Sequence, residues 1–587
     1  MSADSDLYTE ITIDNLSKNI MPWDPNEESQ IYAIVDMGSN GIRFSITSLE
    51  PPFTRLLRPI YAARAPISLF TALEDTPKGR EFPEKTIKDV AKTLGRFHQL
   101  ALQHGVPQNH IIILATEATR SATNKGELLK AITDATEGLK VNILAPAVET
   151  LFGAVMGSRS GLVDVDGGAL FLDLGGGSVQ MTWVDTSNPN YGVDAAKAGV
   201  SLPYGAAKLT KTLTHESAEI QTQHISDLQT LMKKAFENLC TSFPALKDKM
   251  SRHTPIDVFM CGGGFRGYGS MLMCNDPVKP YPIPSTNGYT APGELFSKVE
   301  HMLKKNEQEK DRIFGLSKRR RDQFPAIAKV IEAFLKVVPN VGKVTFCGGS
   351  NRQGALMMKL PDDIRQSNPL HILAGVTPEE RPVFDAVREL LKDAIPKDID
   401  ISTVPTVLTT GLDDLFIRDI WARQGYDADS NTSFALHDAI TRDADAPGLA
   451  HVARALLALT NSARWGGNLG PLDLQLQQSL SQLLESQDND APFWAAYIGA
   501  VAGAIATVSP VLPRSAGELK KAISIESCLE KGEKKKSIIK LTIEVASANK
   551  AVVSLNDIAD KVEGAAKKHG GKKPNFKIQM PREEEPK

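Results

Sequence analysis

The sequence predicts an α/β fold in which one structural plan occurs twice. Apolar runs suited to buried strands end in turns of Asp, Gly, Ser and Asn, first within residues 31–40 and again within residues 169–178. Each turn leads into a second apolar run and then into segments with helical periodicity, the alternation expected of an α/β core. From about residue 361 helical patterns dominate, so we expect a separate α-helical domain there.

The first α/β domain is predicted over residues 30–146. Residues 31–35 and 42–48 indicate a hairpin around the first turn, and residues 111–115 indicate a short buried strand. Between them, residues 83–104 predict an amphipathic helix, because their apolar side chains recur every three or four positions. Residues 1–29 are polar and acidic, which predicts a poorly ordered N-terminus.

The second α/β domain, predicted over residues 147–360, repeats the same plan. Two of its predicted strands, residues 256–260 and 344–347, end in further Gly-rich turns. Ligands of α/β proteins bind beyond the ends of such strands. The remaining elements expected in this part of the chain are strands over 168–174 and 180–184 and a helix over 217–243. We expect an α-helical domain over residues 361–513 and a small α+β tail over residues 514–587.

Composition narrows the class of protein. The chain has 587 residues and a formal net charge of −3, which predicts several domains and no direct binding to DNA. Its five cysteines lack C-x-x-C spacing, and no basic, apolar leader opens the sequence, so a cytoplasmic location is expected. Residues 491–513 carry no charge, but their Ala, Gly and Pro content favours a buried helix over a membrane span.

The two Asp-Gly turns are predicted to bind phosphate between them. Glycine lets the backbone turn sharply and lets an oxyanion approach closely, while Ser and Asn add short polar groups. Asp36 and Asp173 are suited to hold a divalent cation, directly or through water. Such turns often do no more than close a hairpin, yet the repeated order Asp-x-Gly favours the functional interpretation. The phosphate-binding residues predicted here are Gly38, Ser39, Asn40, Gly175, Gly176, Gly177 and Ser178.

Three further segments resemble motifs of the Ppx/GppA phosphatase family, which hydrolyses polyphosphate or guanosine pentaphosphate. Residues 115–124 (ATEATRSATN) are similar to the motif G-T-x-x-x-R-x-A-x-N, with Ala at its first position. Residues 201–205 (SLPYG) resemble S-L-P-x-G, and residues 261–264 (CGGG) lie where the family has a third Gly-rich turn. The resemblance implies two RNase H-like domains of the actin/Hsp70/sugar-kinase type with a cleft between them.

The resemblance also implies roles for individual residues. Glu149 corresponds to the family's catalytic glutamate, which orients the attacking water. Asp36 and Asp173 would hold Mg²⁺. Gln180 departs from the many polyphosphatases that carry a metal-binding Glu at this position, so metal affinity and hydrolysis rate are in question. Four further residues are expected to bind phosphate: Arg120, Gly263, Gly264 and, as the weaker candidate, Arg43. Arg120 follows a predicted buried strand, and a surface ion pair is the alternative for it.

One basic run lies within the second α/β domain. Residues 318–321 (KRRR) are interpreted as the solvated start of a helix, and attraction of a long polyanion is the alternative.

The sequence therefore leaves two functions open. The first is a regulator that binds a phosphate-rich small molecule (ATP, GTP, guanosine polyphosphate or polyphosphate) together with Mg²⁺ and contacts regulatory proteins. The resemblance is strongest to fungal members, which implies signalling from mitochondria to the nucleus. The second is an active exopolyphosphatase or guanosine pentaphosphate phosphohydrolase. No membrane partner is expected, and the sequence is compatible with a homodimer.

Overall fold

The computed structural model describes residues 7–159, 161, 165–423, 427–442, 446–532, 536–550, 553–565, 567, 570–572 and 574–582. The chain divides into two compact units. The first comprises Met1–Asn275 with Ser285–Ser367, and the second comprises Asp276–Pro284 with Asn368–Lys587. Both predicted α/β domains therefore lie within the first unit, except for Asp276–Pro284.

Two six-stranded mixed sheets form the framework of the first unit, and five strands of each follow one common order. The first sheet runs β1-β8-β7-β2-β3-β4 and the second runs β11-β10-β9-β12-β14-β13. The strands of the first sheet, with the small β5-β6 hairpin, are β1 (Tyr8–Ile11), β2 (Ile31–Gly38), β3 (Gly41–Ser48), β4 (Arg58–Ala65), β5 (Glu74–Thr76), β6 (Gly79–Glu81), β7 (Ile111–Ala115) and β8 (Val141–Leu144). Those of the second are β9 (Ala169–Leu174), β10 (Val179–Val184), β11 (Val200–Leu202), β12 (Ile256–Cys261), β13 (Thr290–Pro292) and β14 (Val341–Phe346).

Five strands of each sheet correspond; the sixth differs, because β1 pairs in parallel with β8 whereas β13 pairs antiparallel with β14. In each, a central strand (β2 or β9) pairs antiparallel with the next strand in sequence and parallel with a later one (β7 or β12). An antiparallel third strand and a parallel fifth strand complete the RNase H-like order on both sides. The predicted fold class, two such domains in one chain, is confirmed.

Helices cover the sheets of the first unit. They are α1 (Leu16–Asn19), α2 (Leu69–Ala72), α3 (Glu84–Gln103), α4 (Glu117–Ser121), α5 (Lys125–Ala135), α6 (Pro146–Glu149), α7 (Gly157–Arg159), α8 (Tyr191–Ala198), α9 (Ala206–His215), α10 (Ala218–Ser242), α11 (Pro244–Ser251), α12 (Gly262–Cys274), α13 (Gly293–Phe296), α14 (Val299–Gln308), α15 (Lys318–Asp322), α16 (Phe324–Leu335), α17 (Asn351–Lys359) and α18 (Asp362–Gln366). A π-helix, Thr150–Met156, joins α6 to α7. π-Helical turns are frequent at functional sites.

The predicted disorder of residues 1–29 is wrong for the part that the structure describes. Strand β1 pairs in parallel with β8, and its last residue, Ile11, is fully buried. Farther on, the amide of Trp23 donates a 2.8 Å hydrogen bond to the carbonyl of Lys359. These contacts join residues far apart in sequence, so local composition gave no sign of them.

Two hydrophobic clusters lie on opposite faces of the first sheet. Successive residues of β2 point alternately into one and the other, as the two-residue period of a strand requires. One cluster is covered by α3 and α5. The other also contains the buried π-helix and side chains of β9 and β10, so the π-helix packs in a core that both sheets share.

The second unit is mainly helical and ends in a three-stranded sheet with the order β15-β16-β17. Its elements are α19 (Pro369–Ala374), α20 (Arg381–Asp393), α21 (Asp413–Ile420), α22 (Ala428–Thr441), α23 (His451–Trp465), α24 (Pro471–Glu485), α25 (Ala491–Val508), α26 (Ala516–Ala522), β15 (Ile523–Lys531), β16 (Ser537–Val545), α27 (Ser547–Lys550), α28 (Leu555–Ala565) and β17 (Phe576–Gln579). Strand β15 was not predicted.

Helix α25 accounts for the uncharged stretch of the sequence. Within the described residues it is the one helix long and apolar enough to cross a membrane, yet 89% of that window is buried inside the protein. The structure thus matches the prediction of a buried core helix.

Candidate active site

A cavity of about 460 Å³ in the first unit is lined by both predicted phosphate turns. The β2–β3 turn contributes Gly38, and the β9–β10 turn contributes Gly176. The two turns touch: a Cβ atom added to Gly176 would lie 2.8 Å from Cβ of Asn40 and 3.0 Å from its amide nitrogen. A residue with a side chain would therefore push the turns apart.

The third Gly-rich turn closes another side of the cavity. Residues Gly262–Gly264 form the first turn of α12 and line the cavity. Gly262 adopts a φ of +84°, and a Cβ there would overlap with Oδ1 of Asp173. Glycine is required at this position for both reasons.

The start of α9 holds the carbonyl groups of the β9–β10 turn. The amide of Gly205 donates to Gly177 at 2.9 Å, and the amide of Ala206 donates to Gly175 at 3.0 Å. The amide of Ala207 donates to Gly176 at 2.9 Å. The S-L-P-x-G segment found in the sequence thus fixes the shape of a phosphate turn rather than lining the cavity itself.

Three carboxylates line the cavity, and burial raises the pKa of each. Burial raises the pKa of Glu149 to about 7, although Arg120 opposes the shift, and raises the pKa of Asp173 to about 6, although Arg266 and Arg43 oppose it. The pKa of Asp36 is raised by burial as well. Without a bound cation, ionisation of all three carboxyl groups is unfavourable, because it places three negative charges close together in a buried site.

Glu149 forms an ion pair with Arg120. Nη2 of Arg120 lies 3.0 Å from Oε2 of Glu149, and the side chain of Glu149 is 12% exposed. A second donor of Arg120 bonds the carbonyl of Leu144. Arg120 is absent from the residues that line the cavity, and its ion pair holds the carboxylate of Glu149 in place.

The acidic end of the cavity has the donors that Mg²⁺ prefers. Oδ1 of Asp36 and Oδ1 of Asn351 are buried and have no hydrogen-bond partner among the described residues. Orphaned buried oxygens of this kind fit a bound cation or its water shell. No group of three or more His, Cys, Asp or Glu residues within the described chain forms a metal cage. Mg²⁺ usually binds through one or two carboxylates, water and phosphate oxygens, so the site fits that ion.

Five arginines line the same cavity: Arg43, Arg64, Arg266, Arg319 and Arg320. Burial and the four neighbouring guanidinium groups lower the pKa of Arg320 to about 10, and burial with Arg64 and Arg43 lowers the pKa of Arg319. Five cations face three carboxylates, which leaves the cavity with an excess of positive charge. The interpretation of residues 318–321 as a solvated helix start is wrong for Arg319 and Arg320, because both side chains line the cavity and Arg319 also bonds the β2–β3 turn.

Contacts across the cavity connect its two halves. Nδ2 of Asn40 donates to Oε1 of Gln323 at 3.1 Å, and Arg319 donates to the carbonyl of Asn40. Asn40 lies in the β2–β3 turn of the first sheet, whereas Arg319 lies in α15 and Gln323 directly precedes α16. The β2–β3 turn is thereby held against α15 and the start of α16.

All but one of the predicted site residues line this cavity; the exception is Arg120. Sequence reasoning did not assign Arg64, Arg266 and Asn351 to the site. Arg266 lies two residues after a recognised Gly-rich turn, and Asn351 is the first residue of the helix after another. Their proximity to these turns could have identified both as site residues from the sequence. Arg64 lies on an edge strand and carried none.

Comparison with known proteins places this site in a family. Residues 56–363 match a model of the Ppx/GppA phosphatase family. The chain belongs to that family. Residues 369–581 match a second model, the RTG2 C-terminal domain, which covers nearly all of the second unit beyond Asn368. The family resemblance predicted from the motifs is confirmed.

Individual relatives extend the comparison. Retrograde regulation protein 2 of Saccharomyces cerevisiae is 31% identical over 527 residues, which span 86% of this chain and 83% of the yeast protein. Two solved structures are similar to 56% of this chain: the Ppx/GppA family member of Aquifex aeolicus (20% identity, TM-score 0.43, 96% of its length) and an exopolyphosphatase of Cytophaga hutchinsonii (21% identity, TM-score 0.43, 98% of its length).

Proposed function

We propose that this protein is a regulator of the Ppx/GppA type that binds a nucleotide or polyphosphate in the cavity and acts in signalling from mitochondria to the nucleus. One observation carries the ligand class: three Gly-rich turns and five arginines converge on a single cavity. The signalling role rests on the similarity to yeast Retrograde regulation protein 2.

The charge pattern favours a ligand with several phosphates. Five neighbouring guanidinium groups repel one another, and a chain of phosphates is the small-molecule partner that neutralises them through paired hydrogen bonds. The Gly-rich turns supply backbone groups for close approach of the same oxyanion. A ligand with one negative charge would leave most of the repulsion in place.

Mg²⁺ would bind at the acidic end, through Asp36 and Asp173. When bound, the ion neutralises charge on both carboxylates and phosphate oxygens. Asn351 lies beside these carboxylates, because a Cβ atom at Gly153 would lie 3.1 Å from Asn351 Oδ1 and 2.5 Å from Asp173 Oδ2. The Asn351 side chain also opposes the rise in the pKa of Asp36. The ligand would then lie between the acidic end and the arginines.

Regulation would follow from closure of the cavity. A ligand held by turns from both halves stabilises the closed arrangement, which the contacts of Asn40 with Arg319 and Gln323 already favour. A change in closure alters the surface offered to regulatory proteins, which we place in the cytoplasm.

A thermal-shift titration tests the ligand. ATP, GTP, guanosine tetraphosphate and polyphosphate are added with Mg²⁺ to the full chain, and the melting temperature is followed. A free ligand concentration of 100 times the Kd stabilises the folded state by about 2.7 kcal/mol. We expect a shift that needs Mg²⁺ and that disappears in Asp173→Ala. No shift with any of the four ligands contradicts the proposal.

Hydrolysis of the terminal phosphate is a second candidate, and Glu149 favours it. A general base works best with a pKa near the working pH, and the pKa of Glu149 lies at about 7. Glu149 would accept a proton from the attacking water while the arginines stabilise charge on the phosphoryl group. Phosphate release that is lost in Glu149→Gln, with ligand binding retained, would establish this activity. A protein that binds but releases no phosphate would be a sensor alone.

A further inference from the structure

The second unit contains a larger cavity that no part of the proposed function uses. Its volume is about 980 Å³, at the upper end for small-molecule sites. Helices α22, α23, α24, α25 and α28 surround it. The face contributed by α25 consists of small residues, which leave the space open: Ala496, Ala500, Gly503, Ala504 and Thr507.

The exposed part of the lining carries apolar as well as charged side chains. Leu474 and Val511 both line the cavity, and they are 45% and 57% exposed. They offer apolar surface that a ligand in the cavity could bury. Trp465 adds an aromatic ring to the lining.

One cation in the lining lacks an acidic partner. Nε of Arg464 donates a 2.9 Å hydrogen bond to the carbonyl of Ile420, and its guanidinium carbon lies 3.7 Å from the centre of the Trp465 ring. No carboxylate pairs with Arg464 among the residues that the structure describes. Burial is the one cause that lowers its pKa, to about 10.

The other charged side chains that line this cavity add to its net positive charge. Arg423 lies 4.1 Å from the centre of the Phe434 ring, and Lys561 is a third cation. Among the described residues that line the cavity, the one acidic side chain, Asp560, is paired with Arg582 at 2.7 Å.

Arg423 interacts with Asp427, so Arg464 is the lining arginine without a carboxylate partner among the described residues. A partly apolar space beside such a cation is complementary to a molecule with an apolar body and an anionic end.

We propose that this cavity binds a single-chain amphiphile with an anionic head group, whose chain lies along the small-residue face of α25 and whose head pairs with Arg464. A long-chain carboxylate and a long-chain phosphate monoester share this chemistry. The site lies entirely in the second unit, so it is independent of the phosphate cavity.

Equilibrium dialysis of the full chain against three probes of equal chain length tests the proposal: oleate, oleyl phosphate and oleyl alcohol, each below its micelle concentration. We expect the two anions to bind at least tenfold more tightly than the alcohol. The better anion identifies the head group. Equal binding of all three probes, or no binding of any, overturns the proposal.

Variants locate the ligand. Arg464→Gln should weaken binding of the anions at least tenfold and leave binding of the alcohol unchanged. Leu474→Ala should weaken binding of all three probes, whereas Leu472→Ala should not, because Leu472 is 81% exposed and lies outside the lining. If Arg464→Gln fails to fold, Thr507→Phe, which fills the cavity from an exposed position, should abolish binding. Unaltered binding in Thr507→Phe and Leu474→Ala rules out this cavity.

Discussion

Arg120 holds Glu149 by an ion pair of 3.0 Å while a second donor of the same guanidinium bonds the carbonyl of Leu144. Both contacts lie where β8 leads into α6 and the π-helix. Arg120 therefore fixes the position of the candidate base and also opposes the rise of its pKa. The arginine of the family motif thus contacts the carboxylate of Glu149 in this structure.

The Arg120 contact predicts a shift in pH dependence. Glu149 must be ionised to accept a proton, so phosphate release should rise with pH and reach half its maximum near pH 7. Arg120→Gln keeps a hydrogen-bond donor but removes the charge that lowers the pKa, so the midpoint should move to higher pH. Initial rates between pH 5.5 and 9 give this midpoint. An unchanged midpoint would show that the Arg120 charge does not act on the base.

The buried carboxylates predict that the ligand-free protein loses stability as pH rises. Their pKa values are higher in the folded state than in the unfolded state, so between about pH 4 and pH 6 to 7 the unfolded chain releases protons first. The protonated carboxyl groups therefore make their full contribution to the free energy of unfolding below pH 4, and this contribution is lost above pH 7. A shift of about two units corresponds to roughly 3 kcal/mol.

Asp173→Asn isolates this effect. Because the amide cannot ionise, the variant should be more stable than the native protein by roughly 1–3 kcal/mol at pH 8 and similar to it at about pH 3.5. Urea unfolding at the two pH values measures the difference. Asp134→Asn is the control, since that side chain is 63% exposed. If both variants gained the same free energy of unfolding at pH 8, burial of Asp173 would not be the cause of the difference.

The arginine cluster predicts a strong and local effect on affinity. Arg320→Ala should weaken binding of a nucleoside triphosphate by roughly 2 kcal/mol, about 30-fold, because charge-assisted hydrogen bonds are lost. Relief of repulsion among the remaining guanidinium groups should at the same time raise the melting temperature without ligand. Calorimetric titration and melting curves measure the two effects.

A neighbouring arginine provides the control for this experiment. Arg321 follows Arg320 directly, but it donates to the backbone carbonyls of Asn306 and Asp311, at 2.7 and 3.3 Å, and does not line the cavity. Arg321→Ala should leave the affinity within about twofold at temperatures where it is folded. If both variants bind equally weakly, the loss reflects general charge rather than a specific contact.

The close approach of the two turns predicts sensitivity to a single methyl group. In Gly176→Ala the added Cβ lies 2.8 Å from Cβ of Asn40, so the turns must separate and ligand affinity should fall at least tenfold. In Gly175→Ala the nearest atom, the carbonyl oxygen of Ser178, is 3.5 Å away, so the effect should be smaller. Thermal shifts with ligand and Mg²⁺ rank the two variants. The reverse order would contradict the contact between the turns.

The sequence predicted those parts of the site that local patterns encode. Asp36 and Asp173 stood out because each ends an apolar run and precedes glycine, and Glu149 was identified through the family motif. Arg64 was not predicted, because its role depends on the pairing of β4 with β3, which brings it opposite Arg43. Strand β1 was missed for a similar reason: its partner β8 lies more than a hundred residues away.

The hydrogen bonds between α9 and the β9–β10 turn determine which way that turn faces. In a peptide unit the carbonyl and the amide hydrogen point in opposite directions. Because the carbonyl groups of Gly175, Gly176 and Gly177 are directed at the start of α9, the amides of Gly176, Gly177 and Ser178 are directed away from it. The orientation is therefore established by the folded chain before any anion arrives, and binding need not pay for arranging these donors.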